Sequence, residues 1–276
     1  MAVKNYIRPD RCGQIAIVGA SVPLVLRYEK MRVVEAAGAG CPRDSRRDAG
    51  ATLLSVAQTR PMMNNHSRPM KNIGILLSGR GSNFEAIAKN IAAGKIPDTR
   101  IAVVISNKPD AGGIEVARRM GLEAALIASK GKQREEHDRE VVAALQQHRV
   151  DLVCLAGYMR LLSPWFVQQF PRRILNIHPS LLPAFPGLEA QEQAFAYGVK
   201  VTGCTVHFVD EELDHGAIIV QKAIPVLDTD DEHTLAARIL EQEHSAYSEA
   251  INLVLSEQVA IVGRRLVRTT LAPNPR

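Results

Sequence analysis

Short apolar runs alternate with amphipathic segments along most of the chain, beginning at Lys71. Five apolar runs have the length of strands, and segments with helical spacing follow the first three; the runs are NIGILL, TRIAVVISN, LEAALIA, DLVCLAG and RILNIHP. Continuous apolar strands that alternate with helices are typical of a parallel sheet covered on both faces. The pattern therefore predicts an α/β fold with an open, mostly parallel, Rossmann-like sheet and helices on both faces.

The rhythm of the sequence changes after Pro183. GCTVHFV and GAIIVQKAIPV are predicted to form two strands joined by the acidic loop DEELDH, which adds a late antiparallel extension to the sheet. The segment DEHTLAARILEQEHSAYSEAINLVLSE predicts a long helix with acidic residues in its first turn, where the helix dipole favours them. We expect the chain after Arg264 to be a loop.

Charge separates the first quarter of the chain from the rest. Residues 1–69 carry 11 Lys+Arg against 5 Asp+Glu, whereas residues 70–276 carry 23 against 24. We expect residues 70–276 to form the functional domain. Three interpretations of residues 1–69 stay open: a disordered extension, a small domain, or codons upstream of the true start, which would then be Met62, Met63 or Met70.

Composition argues against several classes of function. Because residues 70–276 are nearly neutral, the net charge of +5 gives no support to a nucleic-acid partner. The apolar runs are too short to span a bilayer, so we expect no membrane partner. The cysteines form no CxxC pair and no HExxH segment occurs, which favours free thiols in a reducing cytoplasm over a zinc site or a disulfide framework. A Cys–His nucleophile stays a weaker alternative.

A glycine-rich turn, SGRGSN, follows the first predicted strand. Gly79 and Gly81 permit a tight turn that directs backbone N–H groups inward at a helix N-terminus, a geometry that favours a phosphate. Phe84 stands at the third glycine position of a dinucleotide fingerprint, and no Gly-Lys-Ser/Thr follows. A monophosphate is therefore a better candidate ligand than NAD or ATP.

The motif NIHPS places two polar side chains at the end of the fifth predicted strand. Asn176 and His178 are two residues apart, so both face the same side of a strand. An amide donor beside an imidazole suits stabilising an oxyanion and moving a proton. Asp214 lies in the acidic loop after a neighbouring strand, and a lone carboxylate in such a loop is usually a solvated residue, although one at this place could hold His178 in one tautomer and favour its protonated form.

The other histidines carry less weight in the sequence. His137 and His148 fall on a predicted amphipathic helix, and we expect both at its surface. His207 alternates within a predicted strand, which is also the pattern of an ordinary structural histidine.

Taken together, the motifs resemble a known family. SGRGSN, AGYMRLLSP, NIHPSLLPAFPG and VHFVDEELDHG occur in this order, and EQEH lies on the last predicted helix. Over about residues 71–262 the chain is similar to the phosphoribosylglycinamide formyltransferases of the folate formyltransferase superfamily. The resemblance implies the formyltransferase fold and a cytoplasmic catalytic domain, monomeric or homodimeric. It also implies formyl transfer from 10-formyltetrahydrofolate, as co-substrate, to the amine of glycinamide ribonucleotide in de novo purine (IMP) biosynthesis.

The resemblance also assigns roles to residues. It implies that Asn176 and protonated His178 stabilise an oxyanionic tetrahedral intermediate, that Asp214 supports His178, and that no metal is needed. The residues matching the ribonucleotide site are Gly81, Ser82, Asn83 and Glu243. The residues matching the folate site are Arg134, Met159, Arg160, Leu161, Leu162, Asn176, Asp210, Glu211, Glu212, Leu213 and Asp214.

One segment departs from the family pattern. PGL is commonly followed by a histidine-containing run, whereas this chain has Glu189 and Gln191 in those positions. Since the Asn–His–Asp trio is intact, we expect the activity to be kept and only this loop to differ.

The main alternative is formyltetrahydrofolate deformylase, a hydrolase, with a degenerate regulatory domain in residues 1–69. That family lacks the SGxGSN loop and has a second histidine where Pro179 stands. A methionyl-tRNA formyltransferase would carry a C-terminal RNA-binding domain, and a non-enzymatic binding protein would be expected to lose part of the trio. The transferase is therefore the preferred interpretation.

Overall fold

The computed structural model describes residues 69–256 and 259–269. The strands of this part are β1 Lys71–Leu77, β2 Thr99–Ser106, β3 Ala124–Leu126, β4 Leu152–Leu155, β5 Ile174–His178, β6 Val201–Phe208, β7 Ile218–Pro225, β8 Val259–Val262 and β9 Arg265–Arg268. The helices are α1 Ser82–Ala92, α2 Gly112–Arg119, α3 Arg134–Gln147, α4 Pro164–Gln169, α5 Ala190–Tyr197 and α6 Glu232–Leu255. The hypotheses about the N-terminal extension concern residues outside the described part, so they stay predictions.

The strands form one sheet in the order β3-β2-β1-β4-β5-β6-β7-β9-β8. Strands β1 to β5 pair in parallel, whereas β6 pairs antiparallel with β5 and β7 antiparallel with β6. The predicted fold class, a mostly parallel α/β sheet with an antiparallel extension, is therefore confirmed. The strand order reverses between β1 and β4, and ligands of open α/β sheets bind in the crevice at such a point.

Two hydrophobic cores cover the two faces of the sheet. Because side chains alternate along a strand, Ile75 of β1 contributes to one core and its neighbour Leu76 to the other. The first core also contains buried apolar residues of α1, α2 and α6, and the second contains those of α3 and α4. The helices are thus divided between the faces, as continuous apolar strands require.

Helix α6 is fixed at its start and along its length. Asp231 accepts a hydrogen bond from the backbone N–H of Thr234 at 2.7 Å, and the Thr234 hydroxyl accepts one from the Asp231 N–H at 2.8 Å, which forms a capping box. Farther along, the hydroxyl of the fully buried Tyr247 lies 3.0 Å from the carbonyl oxygens of both Leu155 and Leu175. These contacts attach α6 to the ends of β4 and β5.

Two expectations are wrong. The chain after Arg264 is not a loop: Arg265–Arg268 forms β9, which pairs antiparallel with β8 because Leu266 and Val267 are partly buried within an otherwise charged segment. His137 is not at the surface of α3 but fully buried, with its Nε2 2.8 Å from the carbonyl oxygen of Ile127. That carbonyl compensates Nε2 for lost water, whereas Nδ1 is buried without a hydrogen-bond partner among the described residues, and the helical spacing alone reveals neither.

None of the helices in the described part of the chain combines the length and the apolar character that crossing a bilayer requires.

Candidate active site

Asn176 and His178 lie on the same side of β5. The residues between and before them, Ile177 and Leu175, belong to the core shared with α1 and α6, so the polar pair faces the other side of the sheet. His178 is only 4% exposed, and Asn176 is half-buried. The strand therefore presents an amide and an imidazole together, as its alternation predicts.

Asp214 reaches this pair from the connection between β6 and β7. Its backbone is left-handed (φ 51°), a conformation that Asp tolerates better than most residues. Its Oδ2 lies 3.4 Å from His178 Nδ1 and accepts a hydrogen bond from the backbone N–H of Gly187 at 2.8 Å. The structure thus brings the predicted trio together and attaches the loop that follows β5 to the same carboxylate.

Both ring nitrogens of His178 face hydrogen-bond acceptors. Nε2 lies 2.8 Å from the carbonyl oxygen of Phe185, which can only accept, and Nδ1 faces the Asp214 carboxylate. A neutral imidazole has one donor and one acceptor, whereas an imidazolium has two donors. The surroundings therefore match the protonated form of His178.

The environment of Asp214 keeps it ionised. Burial raises the pKa of this carboxyl, but the His207 ring, the Gly187 N–H and the charge on His178 outweigh burial and hold the pKa below the ordinary value of 3.8. A negative charge next to an imidazole stabilises its protonated form. Asp214 therefore places a negative charge next to the His178 ring.

The glycine loop ends at the first turn of α1. Gly81 precedes the helix with φ 81°, and no side chain caps the helix in this part of the structure. A Cβ added to Gly81 would lie 3.1 Å from the Cα of Gly113, so both the backbone angle and the space favour glycine. The N–H groups of Ser82 and Asn83 begin the helix, where its dipole attracts an anion.

Asn83 and Glu243 form a buried pair beside this loop. The Asn83 Nδ2 donates to Glu243 Oε2 at 2.7 Å, and the two residues are 8% and 6% exposed. Burial raises the pKa of Glu243, and the hydrogen bond from Asn83 opposes that shift. Asn83 Oδ1 is buried without a hydrogen-bond partner among the described residues. The predicted ribonucleotide residues on α1 and α6 therefore meet.

The predicted folate residues include several exposed apolar side chains. Met159, Leu161 and Leu213 are 63%, 53% and 57% exposed, although all three are large and apolar. Exposed apolar groups near polar ones are typical of a ligand site. Arg134, Glu211 and Glu212 are exposed as well, whereas Arg160, Leu162 and Asp210 are half-buried.

Short hydrogen bonds fix the segment that follows β4. The backbone N–H of Met159 donates to the Ser78 hydroxyl at 2.8 Å, and that of Ser163 donates to Asp138 Oδ2 at 2.7 Å. Ser78 opens the glycine loop and Asp138 lies on α3. Gln168 of α4 also donates to Glu211 at 3.1 Å, which connects this region to the loop that carries Asp214.

Some residues at the site were not predicted. His207 contacts Asn176 and faces Asp214, and the register that pairs Asn176 with His207 across β5 and β6 is the signal that could have indicated it.

Glu189, where the family pattern differs, precedes α5 with φ 56°, and Gln191 is half-buried within that helix. The departure thus falls at a helix start.

Residues 69–256 and 259–269 contain no group of three or more His, Cys, Asp or Glu side chains placed to hold a metal ion. The expectation that the reaction needs no metal stays a prediction.

A mostly parallel sheet carries a glycine loop after β1 and brings Asn176, His178 and Asp214 together beside β5, an arrangement that is typical of an α/β enzyme. Residues 71–251 match the family described as formyl transferase, and the chain belongs to this family. The resemblance drawn from the motifs is therefore confirmed.

Three similar proteins indicate the branch of the formyl transferase family that this chain is most like. The phosphoribosylglycinamide formyltransferase of Escherichia coli is 46% identical over 182 residues, which cover 66% of this chain and 85% of that protein. The crystal structure of glycinamide ribonucleotide transformylase 1 from Symbiobacterium toebii is 51% identical, with a TM-score of 0.71 over 73% of this chain and 95% of that one. The trifunctional purine biosynthetic protein adenosine-3 of Drosophila melanogaster is 45% identical over 206 residues, and these cover 73% of this chain but only 15% of that protein.

Proposed function

We propose that the protein transfers the formyl group of 10-formyltetrahydrofolate to the amine of glycinamide ribonucleotide in purine biosynthesis. One observation carries this proposal. The same fold holds both the buried Asn83–Glu243 pair, beside the glycine loop, and the Asn176–His178–Asp214 trio. The start of α1 at the glycine loop suits a phosphorylated substrate, and the trio suits acyl transfer.

In the proposed reaction, the substrate amine attacks the formyl carbon and a tetrahedral oxyanion forms. Asn176 donates from its amide to this oxygen. His178 donates from Nε2, whose hydrogen bond passes from the Phe185 carbonyl to the oxyanion. The new carbon–nitrogen bond is kept, the bond to the folate nitrogen breaks, and a proton moves from the attacking amine to that nitrogen directly or through water.

The two substrates occupy different parts of the sheet in this proposal. The phosphate lies at the N–H groups of Gly81, Ser82 and Asn83, and Glu243 uses its second oxygen to contact the same substrate. The folate packs on the exposed apolar side chains of the segment after β4 and of the loop before β7, with Arg134 at the start of α3. Their reacting ends meet at Asn176 and His178.

The test is to mix the purified protein with 10-formyltetrahydrofolate, with and without glycinamide ribonucleotide. We expect tetrahydrofolate to form only when the ribonucleotide is present, in equal amount to the formylated ribonucleotide. Release of formate without the acceptor would instead show a deformylase. The Asn176→Ala variant is the control, because loss of one oxyanion donor lowers kcat by about 10²–10³.

A further inference from the structure

His207 is the cross-strand neighbour of Asn176. The two residues are directly opposite each other in the antiparallel pairing of β5 with β6, so their side chains leave the same face of the sheet. His207 is 2% exposed, and its Nε2 lies 3.3 Å from the Asn176 Nδ2 and 3.7 Å from Asp214 Oδ1. A buried imidazole thus touches one member of the trio and faces a second.

The backbone determines which nitrogen of His207 carries hydrogen. Nδ1 lies 2.8 Å from the carbonyl oxygen of Phe208, and a carbonyl can only accept, so Nδ1 is the donor. Nε2 lies next to the Asn176 Nδ2, which can only donate, so Nε2 is the acceptor in this contact. The group facing Nε2 must donate to it.

Asn176 is the side chain that can meet this requirement. The Asp214 carboxylate cannot donate, whereas the Asn176 amide donates through its NH2 end. One amide hydrogen is used by His207, and the second hydrogen of the same nitrogen stays free. If the amide were turned over, its oxygen would face the lone pair of Nε2, which is unfavourable.

We propose that His207 is a positioning residue whose Nε2 keeps the Asn176 amide in its donating orientation. The inference rests on the proposed function, in which Asn176 donates to the oxyanion. In the opposite orientation Asn176 would present an oxygen lone pair to a developing negative charge and would raise the barrier. His207 itself touches neither substrate in this proposal.

Two variants separate the two ends of the imidazole. His207→Asn places an amide N–H at the position of Nδ1, which keeps the contact with Phe208 and removes the acceptor. His207→Gln places a carbonyl oxygen at the position of Nε2, which keeps the acceptor for Asn176. We expect His207→Asn to lower kcat by about tenfold with KM for both substrates nearly unchanged, and His207→Gln to stay within about threefold of the wild type.

A double variant makes the coupling explicit. In the Asn176→Ala background, His207→Asn should cause no further loss of kcat, because the amide that it orients is gone. The inference would be overturned if His207→Asn left kcat unchanged. It would also be overturned if His207→Asn and His207→Gln lost kcat equally and their Tm fell equally. If Asn176→Ala itself leaves kcat unchanged, the proposed role of Asn176 fails and this inference with it. If Asn176→Ala is impaired while His207→Asn is not, only the role of His207 is refuted.

Discussion

The Nδ2 of Asn83 donates to Oε2 of Glu243 over 2.7 Å, although 160 residues separate the two in the chain. The bond connects the first turn of α1 with the middle of α6, and both partners are buried. Burial raises the pKa of Glu243 above its ordinary value of 4.5. Burying this ionisable pair lowers the stability of the fold, and such groups are often found where a protein binds a ligand.

The raised pKa of Glu243 gives a prediction about stability. A carboxyl group whose pKa is higher in the folded state binds more protons when folded, so stability falls as pH rises from about 4.5 through the folded pKa. Gln cannot ionise and keeps an acceptor for Asn83. We expect Glu243→Gln to lack this pH-dependent loss of stability. The difference in Tm between the variant and the wild type should therefore increase as the pH is raised from 4.5 to 7.5.

In the same variant, KM for glycinamide ribonucleotide should rise while KM for the folate stays unchanged, because the second oxygen of Glu243, proposed to contact the ribonucleotide, is replaced by an NH2 group. Melting curves across pH and steady-state kinetics check the two expectations. A variant that melts in parallel with the wild type at every pH would contradict the assigned protonation behaviour.

The glycine loop gives a second prediction. Gly81→Val places a branched side chain at φ 81° and 3.1 Å from the Cα of Gly113, which displaces the N–H groups of the first turn of α1. KM for the ribonucleotide should rise far more than KM for the folate. Gly94→Val is the matched control, because Gly94 has a similar φ of 71° and open space around its Cβ position. Equal effects of Gly81→Val on both substrates would argue against phosphate binding here.

The trio gives a third prediction. His178→Ala should lower kcat by about 10²–10³ with KM nearly unchanged, since the lost donor acts in the transition state. Asp214→Asn keeps the shape and the acceptor for the Gly187 N–H but removes the charge next to His178. Because the imidazolium loses its stabilising partner, the loss of rate should be accompanied by an acid-side shift in the pH dependence attributed to His178, which moves the alkaline limb of the pH–rate profile to lower pH.

The double variant His178→Ala/Asp214→Asn tests whether the two act as one unit. If Asp214 works through His178, the double variant should be scarcely slower than His178→Ala alone. Fully additive losses in kcat would show that Asp214 has a separate role.

Tyr247 gives a prediction about stability alone. Tyr247→Phe removes a buried hydroxyl that donates to the carbonyl oxygens at the ends of β4 and β5, which should cost about 1 kcal/mol of the free energy of unfolding. Tyr197→Phe is the control, because Tyr197 is 79% exposed and its ring contact with Phe185 does not need the hydroxyl. Denaturant unfolding measures both, and equal costs would refute the role of the buried hydroxyl.

The N-terminal residues give a last prediction. Residues 1–69 contain no site motif, and the charge excess of the chain falls there. We expect protein that begins at Met70 to fold and to keep full formyl transfer, as measured by its Tm and by the two-substrate assay. Insolubility or inactivity of the shorter protein would show that the extension contributes to the domain.

How far the sequence leads depends on whether an interaction is local. Strand alternation is local, so the parallel sheet and the shared side of Asn176 and His178 could be predicted from residue types alone. Asp214 could not, because one carboxylate in an acidic loop resembles any solvated residue, and only the family resemblance selected it. The role of His207 follows only from the pairing of β5 with β6, and the burial of His137 depends on its contact with the carbonyl of Ile127, so neither follows from residue types alone.

The division of the helices between two faces has a consequence for how such a protein can diverge. The predicted acceptor residues lie on α1 and α6 above one core, and the predicted donor residue Arg134 opens α3 above the other. In the proposed reaction the two substrates meet at the strand that carries Asn176 and His178. If the substrates bind as proposed, substitutions on the α1–α6 side can change which acceptor is used without touching the residues of the folate side.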